Sequence, residues 1–104
     1  MFEVKQGDIL KVENIKGLVY VVSNDYFNKM EAVIVCPIVK EANDSVLHIE
    51  IEIDGKSMYV LTEQLKYLDL CVRGYRVVEH SETELIMEVS DIIQGIFEYI
   101  YQAE

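Results

Sequence analysis

The clearest hydrophobic pattern of the chain lies in residues 46–53, where apolar and polar side chains alternate. Successive side chains of a strand point to opposite faces, so this period of two predicts a strand with one face in the core and the other in water. The apolar set is Leu47, Ile49, Ile51 and Ile53. Asp54-Gly55 then supplies the turn of a tight hairpin, and residues 59–61 are expected to return antiparallel.

Four further apolar runs predict strands, and short polar or glycine-containing turns separate them. These runs cover residues 8–12, 18–22, 32–38 and 71–78. Asn14 to Gly17 predicts a tight connection between the first two strands. Pro37 lies near the end of the third run, and because proline cannot donate to a ladder, that strand is expected at an edge or with a bulge. Residues 62–66 are expected to form a short turn of helix.

The spacing of apolar residues changes to the helical period after residue 80. Ser81 and Glu84 have the spacing of a capping box, in which the serine hydroxyl accepts from a first-turn amide and the glutamate reaches back. One apolar stripe follows it, made of Leu85, Val89, Ile92, Ile93, Ile96, Phe97 and Ile100. The pattern therefore predicts a mostly β protein, a small barrel over about residues 1–79 followed by a C-terminal amphipathic α-helix over about residues 81–103.

The totals favour a single domain over residues 1–104, because either half alone would be too small to bury a stable core. Hydrophobic residues make up 51% and the mean hydropathy is +0.14. So many apolar residues in a small domain favour a subunit interface, and we expect a homodimer. No apolar run reaches the roughly 18 residues of a membrane span. Cys36 and Cys71 lie in apolar runs and are expected to be buried thiols, which favours the cytoplasm.

The net charge of −10 is unevenly distributed. All nine Lys and Arg residues lie in residues 1–76 together with twelve acidic residues, so this part has a net charge of only −3. Residues 77–104 contain seven acidic residues and no Lys or Arg. Binding of a polyanion draws on Lys and Arg to displace counterions. A nucleic-acid surface on the first part is therefore disfavoured by the total charge but not excluded.

Five blocks of the chain resemble the MazF/PemK toxin family in their order and spacing. They are Gly7-Asp8-Ile9, LVYVVSNDYFN at 18–28, VIVCPI at 33–38, LHIEI at 47–51 and YVLTEQLKYLD at 59–69. The resemblance covers roughly residues 7–75, and the closing helix agrees with it. No single block is specific, but five in the same order are a strong indication of the fold and a weaker one of function.

The resemblance implies an SH3-like barrel, usually a homodimer, that cleaves single-stranded RNA at short motifs without a metal. Such toxins are neutralised by a small antitoxin whose acidic tail lies in the RNA groove. In the family, the RNA 2′-hydroxyl attacks its own phosphate. Two groups are credited with assisting: an arginine in a Gly-x-Arg-Pro stretch ahead of the second strand, and a Ser or Thr just after the third.

This sequence departs from the family pattern at both assisting positions. The arginine position is Gly17 and the hydroxyl position is Val39, and the loop before Gly17 is short. A fixed cation or donor at a developing phosphorane is worth several kcal/mol, and neither residue offers one. Lys16 and Lys40 lie one residue away. In a regular strand neighbouring side chains point to opposite faces, so only a bulge or loop conformation would bring either lysine to the site.

The remaining candidates each have a structural and a functional interpretation. His48 could be a general acid or base, but a solvated strand histidine is favoured because no Ser or Cys partner is evident. Asn24, Asp25 and Asn28 suit a turn and equally suit base-edge recognition. Gln64 could face a dimer partner. The candidate residues of a groove for nucleic acid or a partner are thus Lys16, Asn24, Asp25, Asn28, Lys40, His48 and Gln64. No catalytic residue, cofactor or metal site is assigned.

Three functions from different classes remain open. The departures at Gly17 and Val39 favour a relative with lost or weakened cleavage that binds RNA or a protein partner, such as an antitoxin. The family resemblance itself favours an active, metal-independent endoribonuclease toxin. The acidic tail suggests a third function, an acidic nucleic-acid mimic that inhibits a nuclease.

Overall fold

The computed structural model describes residues 3–98. In this part of the chain it has seven strands and two helices. In chain order they are β1 (Asp8–Val12), β2 (Leu18–Val21), α1 (Asp25–Asn28), β3 (Ala32–Val39), β4 (His48–Ile53), β5 (Lys56–Leu61), β6 (Lys66–Asp69), β7 (Tyr75–His80) and α2 (Thr83–Phe97).

The strands form one antiparallel sheet in the order β4-β5-β3-β2-β1-β7, with β6 paired to the first half of β3. The sheet curls into a half-barrel, and α2 packs against it. The predicted fold, a mostly β barrel with a C-terminal helix, is confirmed.

The hairpin of β4 and β5 follows the predicted alternation. Ile49, Ile51 and Ile53 are buried, and the residues between them face water. Asp54 and Gly55 form the two-residue turn, with φ of 56° and 78°. The strand begins at His48, two residues later than predicted.

Pro37 lies in the central strand β3, so the prediction of an edge or bulge at this proline is wrong. It pairs with Val19 of β2, and the flanking pairs Leu18–Ile38 and Tyr20–Cys36 continue the ladder. On its other side β3 pairs with β6 up to Val35 and with β5 from Ile38 onward. Pro37 therefore falls where β3 changes partner, so its missing N–H interrupts neither the β3–β6 nor the β3–β5 ladder.

The region after β5 differs from the prediction. Residues 62–66 contain a hydrogen-bonded turn and no helix. The strand β6 begins at the end of this segment. The alternation of apolar and polar residues did not predict β6, because Leu68 is its one buried residue. Residues 71–73 form a bend, and the Asp69 carboxylate accepts a hydrogen bond from the Cys71 N–H at 2.9 Å. The predicted strand 71–78 is consequently displaced to β7.

The core has two parts, one on each face of the curled sheet. The first is built around Leu10, Val19, Val21, Val35 and Leu68. The second joins the sheet to α2 and includes Ile9, Tyr20, Cys36, Ile38, Ile49, Ile51, Ile53, Val60 and Val89. Side chains of neighbouring residues on β2 and β3 alternate between these two parts, as the pleat of a strand requires.

The predicted capping box at Ser81 and Glu84 is wrong. The residue before the first turn of α2 is Glu82, whose side chain makes no capping hydrogen bond. The buried Ser81 hydroxyl instead donates to the Gly7 carbonyl at 2.9 Å and lies 2.7 Å from the Tyr20 hydroxyl. Ser81 therefore ties the start of the helix to the barrel.

The apolar stripe of α2 extends past the sheet. Leu85, Val89 and Ile93 pack on the second part of the core, whereas the side chains of Ile96 and Phe97 are 41% and 69% exposed. The helix is described as far as Phe97, and the predicted continuation over residues 99–103 lies outside the described residues. Neither helix in residues 3–98 is long and apolar enough to cross a membrane.

Candidate nucleic-acid groove

A groove of about 500 Å³ lies between the β1–β2 turn and the turn that precedes β6. We call it the cationic groove. Its lining residues are Asn14, Ile15, Lys16, Val19, Val35, Pro37, Gln64, Leu65 and Lys66. Two lysines and two side-chain amides thus line the groove together with apolar residues, and no carboxylate from the described part of the chain belongs to the lining.

The tight β1–β2 connection places Lys16 in the groove. The Ile15 N–H donates to the Val12 carbonyl at 3.1 Å, and the Lys11 ammonium donates to the Ile15 carbonyl at 2.5 Å. Asn14 and Gly17 have φ of 65° and 78°, a left-handed conformation that turns the chain sharply. The loop conformation needed to bring Lys16 to this surface is therefore present, and Lys40 is not among the groove's lining residues.

Gly17 and Val39, the two positions that the resemblance aligns with the assisting groups, lie at the same end of the sheet. The register pairs Leu18 with Ile38, which sets Gly17 and Val39 side by side at the ends of β2 and β3. A Cβ atom on Gly17 would lie 3.7 Å from the Ile38 carbonyl oxygen. Neither residue carries a side-chain donor. The φ of 78° at Gly17 further means that any larger residue there would be strained.

Gln64 and Lys66 form the opposite wall of the groove. The Gln64 N–H donates to the Leu61 carbonyl at 3.1 Å, which closes the turn after β5. Lys66 opens β6 two residues further on and pairs with Val35. Sequence reasoning missed Lys66 and Asn14 as groove residues. Recognition of β6 would have placed Lys66 at the start of a strand directly after the turn that contains Gln64.

Asn24, Asp25 and Asn28 do not line the cationic groove. They belong to α1 and its N-cap. The Asn24 carbonyl oxygen Oδ1 accepts from the Phe27 N–H at 2.9 Å, and the Asp25 carboxylate accepts from the Gln6 N–H at 2.7 Å. Asn28 is 1% exposed and all its polar atoms have protein partners. The structure thus separates these three residues from Lys16 and Gln64.

His48 is held between two acceptors rather than solvated. Its Nδ1 atom lies 2.7 Å from the Asn43 carbonyl oxygen and its Nε2 atom lies 3.0 Å from a Glu63 carboxylate oxygen. The side chain is 13% exposed. Only the imidazolium can donate from both nitrogens, so the Asn43 and Glu63 hydrogen bonds raise the pKa of His48 above its ordinary value of 6.5. The same contact lowers the pKa of Glu63.

We expect the contact between His48 and Glu63 to stabilise the fold in a defined pH window. Because the pKa of His48 is raised, its contribution is present below pH 6.5 and disappears as the pH rises through the folded-state pKa. Because the pKa of Glu63 is lowered, the contribution of the Glu63 carboxylate to stability is present above pH 4.5. It is lost as the pH falls through the folded-state pKa of Glu63. The unfolding free energy of the wild type should exceed that of Glu63→Gln most between these limits, as measured by urea denaturation at several pH values.

An NMR titration of the His48 ring is the direct companion measurement. The midpoint for His48 should lie above 6.5 in the wild type and fall in Glu63→Gln. Identical midpoints in the two proteins would contradict the assignment of Glu63 as a cause of the shift.

Neither cysteine is a candidate functional residue of the groove. Cys36 is buried, and burial together with the nearby Glu63 carboxylate raises its pKa to about 12, so it is a poor nucleophile. Cys71 is exposed, contrary to the expectation that both cysteines are buried. Among the described residues, no group of three or more His, Cys, Asp and Glu side chains is arranged to hold a metal ion.

The curled sheet, its strand order and the closing helix are those of the MazF class of small β-barrel toxins. The crystal structure of MazE-MazF from Deinococcus radiodurans superposes with a TM-score of 0.80 at 17% identity, over 93% of this chain and 98% of that one. A mycobacterial endoribonuclease in complex with its cognate antitoxin gives 0.77 at 11% identity, over 95% and 99%. The Mycobacterium tuberculosis toxin MazF-mt6 gives 0.73 at 13% identity, over 90% and 99%.

The family model for the PemK-like, MazF-like toxin of type II toxin-antitoxin systems matches residues 5–97. The chain belongs to this family. A search among curated proteins gave no match. Identities below 20% support the fold of the neighbouring structures and leave the chemistry of the groove to be argued from its own residues.

Proposed function

We propose that this protein binds single-stranded RNA in the cationic groove and that its capacity to cleave RNA is lost or weakened. The observation that carries the proposal is the lining of the groove. Lys16 and Lys66 supply positive charge and Asn14 and Gln64 supply amides. No carboxylate of the described residues lines the groove, in a chain of net charge −10. Lysine contacts with phosphates and amide contacts with base edges are the usual means of holding single-stranded RNA.

Weakened cleavage follows from the residues beside this groove. Gly17 and Val39 stand where the family has an arginine and a hydroxyl residue, and neither can stabilise charge on a phosphate. The conformation of the β1–β2 turn also argues against a simple reversion, because Gly17 has φ of 78°. Lys16 lines the groove and is the residue that would replace the arginine if cleavage is retained. An active, metal-independent endoribonuclease is therefore the alternative.

The binding proposal is tested with a labelled mixed-sequence RNA and two double variants of equal charge. Lys16→Ala with Lys66→Ala removes the groove lysines, and Lys29→Ala with Lys56→Ala removes two exposed lysines elsewhere. We expect the groove variant to bind about 10-fold or more weakly and its salt dependence to fall by about 1.4 in slope, since each phosphate contact contributes about 0.7. Filter binding at several salt concentrations gives both quantities. Equal losses in the two variants would contradict a groove-specific site.

Incubation of the same RNA with the wild type and with two single-lysine variants decides between lost and retained cleavage. Intact RNA after incubation with EDTA at high protein concentration supports the binding function. Discrete fragments ending at a repeated motif support the alternative, and their disappearance in Lys16→Ala with retention in Lys40→Ala would assign the replacement to Lys16.

An antitoxin is the proposed protein partner. The MazF of Deinococcus radiodurans was crystallised with MazE, and the mycobacterial endoribonuclease with its cognate antitoxin. The positive lining of the groove suits the acidic tail of such a partner as well as RNA. We infer that the protein acts in the cytoplasm, where both ligands would be encountered.

We further propose a homodimer. Several large apolar side chains are exposed in the single chain, among them Val72 at 77% and Phe97 at 69%. Light scattering at micromolar concentration is expected to give twice the chain mass of 12.0 kDa. Phe97→Glu should shift the mass toward the monomer, whereas Lys56→Glu, at an exposed polar position, should leave it unchanged. A monomeric wild type would contradict the proposal.

A further inference from the structure

A second pocket, of about 330 Å³, lies between the end of β2, α1 and α2. We call it the amide pocket. Its polar groups come from Gln6, Ser23, Asn24, Ser90 and Gln94, and its apolar walls include Phe27 and Ile93. Among residues 3–98, no charged side chain lines it, although charged residues make up 27% of the chain. A pocket of this composition suits an uncharged ligand with apolar faces and a polar edge.

The amide pocket and the cationic groove lie on opposite faces of the sheet. The pocket is bounded by Val22 and Ile34, the groove by Val19 and Val35. Side chains one or three residues apart along a strand point to opposite faces. A ligand of the amide pocket therefore does not occupy the groove proposed for the RNA backbone.

Two of the amides have orientations that their backbone partners determine. Gln6 donates from Nε2 to the Val22 carbonyl at 2.8 Å, so its Oε1 atom remains as an acceptor. Asn24 accepts at Oδ1 from the Phe27 N–H at 2.9 Å, so its Nδ2 atom remains as a donor. Exchanging nitrogen and oxygen in either side chain would set two donors or two acceptors against each other. The pocket thus presents one fixed donor and one fixed acceptor.

A nucleobase matches this arrangement. Each base has a planar apolar face and an edge on which donors and acceptors lie side by side. Asn and Gln side chains recognise such edges, and aromatic rings stack on the faces of unpaired bases. Phe27 is half-buried and Ile93 lies near it on α2, so the pocket has apolar walls for the base plane. The Ser90 hydroxyl accepts from Gln94 at 3.1 Å and retains its own proton for a further contact.

We propose that the amide pocket binds a nucleobase, with Asn24 and Gln6 reading its edge and Phe27 contacting its face. The base could belong to a free nucleoside or to an RNA chain. This inference does not depend on RNA binding in the cationic groove.

The test measures binding of the four ribonucleosides by NMR titration and uses a nearly isosteric change. Asn24→Asp keeps the oxygen that accepts from Phe27 N–H, and Asp is as good as Asn at this position, so α1 should be retained. It replaces the donor by a charged acceptor. We expect binding of at least one nucleoside by the wild type, with shifts centred on Gln6, Asn24, Phe27 and Gln94. Its affinity should fall 10-fold or more in Asn24→Asp.

Two further variants make the outcome specific. Phe27→Leu keeps an apolar side chain and removes the aromatic face, and it should weaken binding several-fold. Lys16→Ala with Lys66→Ala changes only the opposite face and should bind nucleosides as the wild type does. A nucleoside affinity lowered by the lysine variant and unaffected by Asn24→Asp would overturn the proposal, whatever the fate of RNA binding in the groove.

The source of the base is distinguished by ribotetranucleotides titrated into the double lysine variant. Affinity equal to that of the nucleoside indicates a free nucleoside as the ligand, and tighter, Asn24-dependent binding indicates a base within an RNA chain. Absence of shifts with all nucleosides and tetranucleotides would refute the inference. Shifts caused only by N-methylacetamide would equally refute it and would indicate a peptide backbone.

Discussion

Replacing Gly7 by alanine is expected to lower the unfolding free energy by about 2–4 kcal/mol, the sum of a conformational and a steric cost. Gly7 has φ of 93°, in the left-handed region that residues with a Cβ rarely adopt. A Cβ atom there would lie 2.5 Å from both Cγ1 and Cδ1 of Ile86 and 2.9 Å from the Ser81 hydroxyl. Because natural domains are stable by only about 5–15 kcal/mol, this single methyl group would consume much of the margin.

The expected loss of stability is large because Gly7 contacts both Ser81, just before α2, and the first turns of that helix. Its N–H donates to the Val21 carbonyl at 2.9 Å, and its carbonyl accepts from both the N–H and the hydroxyl of Ser81. Ile86, on the first turns of α2, lies directly against it. An alanine could be accommodated only if the Ile86 side chain and the Ser81 hydroxyl shifted, which would disturb the contact between α2 and the barrel.

Two other glycines separate the components of this prediction. Gly55→Ala also places a side chain at positive φ, 78°, but meets no atom within 4 Å, so it should show the conformational cost alone, about 1 kcal/mol. Gly95→Ala lies within α2 in open space and should be neutral or stabilising by up to about 1 kcal/mol. Urea denaturation of the three variants is the measurement. A loss in Gly7→Ala no larger than that in Gly55→Ala would refute the close contact with α2.

The parts of the fold that could be predicted are those that local patterns determine. The period of two over β4, followed by Asp54-Gly55, requires a hairpin whatever surrounds it, and the helical period after residue 80 requires one buried stripe. Ser81 shows where such reasoning fails. Its spacing to Glu84 is that of a capping box, but its hydroxyl binds Gly7 and Tyr20, which are 74 and 61 residues away in the chain. Ser81 therefore forms tertiary hydrogen bonds in place of the local capping hydrogen bond that its spacing to Glu84 predicts.

The groove illustrates the same division. Strand alternation alone argued that Lys16 points away from the position of the missing arginine. The tight turn with positive φ at Asn14 and Gly17 overrides this alternation and sets Lys16 into the groove. That Gly17 and Val39 lie together required the pairing register of β2 and β3, which two separate apolar runs do not specify.

Asn28→Ala is expected to lower the unfolding free energy by about 2–4 kcal/mol, since each buried polar group left without a partner costs about 1–3 kcal/mol. The Asn28 side chain accepts from the Ser23 hydroxyl at 2.5 Å and donates to the carbonyls of Ser23 and Val4, at 3.1 and 3.3 Å. It thereby joins α1 to the segment before β1 and to the end of β2. We therefore expect Asn28 to act through stability, whereas a base-reading residue would change RNA affinity with the fold intact.

Asn28→Asp separates hydrogen bonding from side-chain volume. The shape is preserved, but the ionised carboxylate offers only acceptors to two carbonyl oxygens in a site that is 1% exposed. Such a carboxylate has a raised pKa, so the unfolded state, with a pKa near 3.9, releases its proton first. The loss relative to the wild type should therefore be smaller at pH 4 than at pH 7, because stability falls as the pH rises between the two pKa values. Urea denaturation at both pH values measures it, and a loss independent of pH would contradict the raised pKa of the introduced carboxylate.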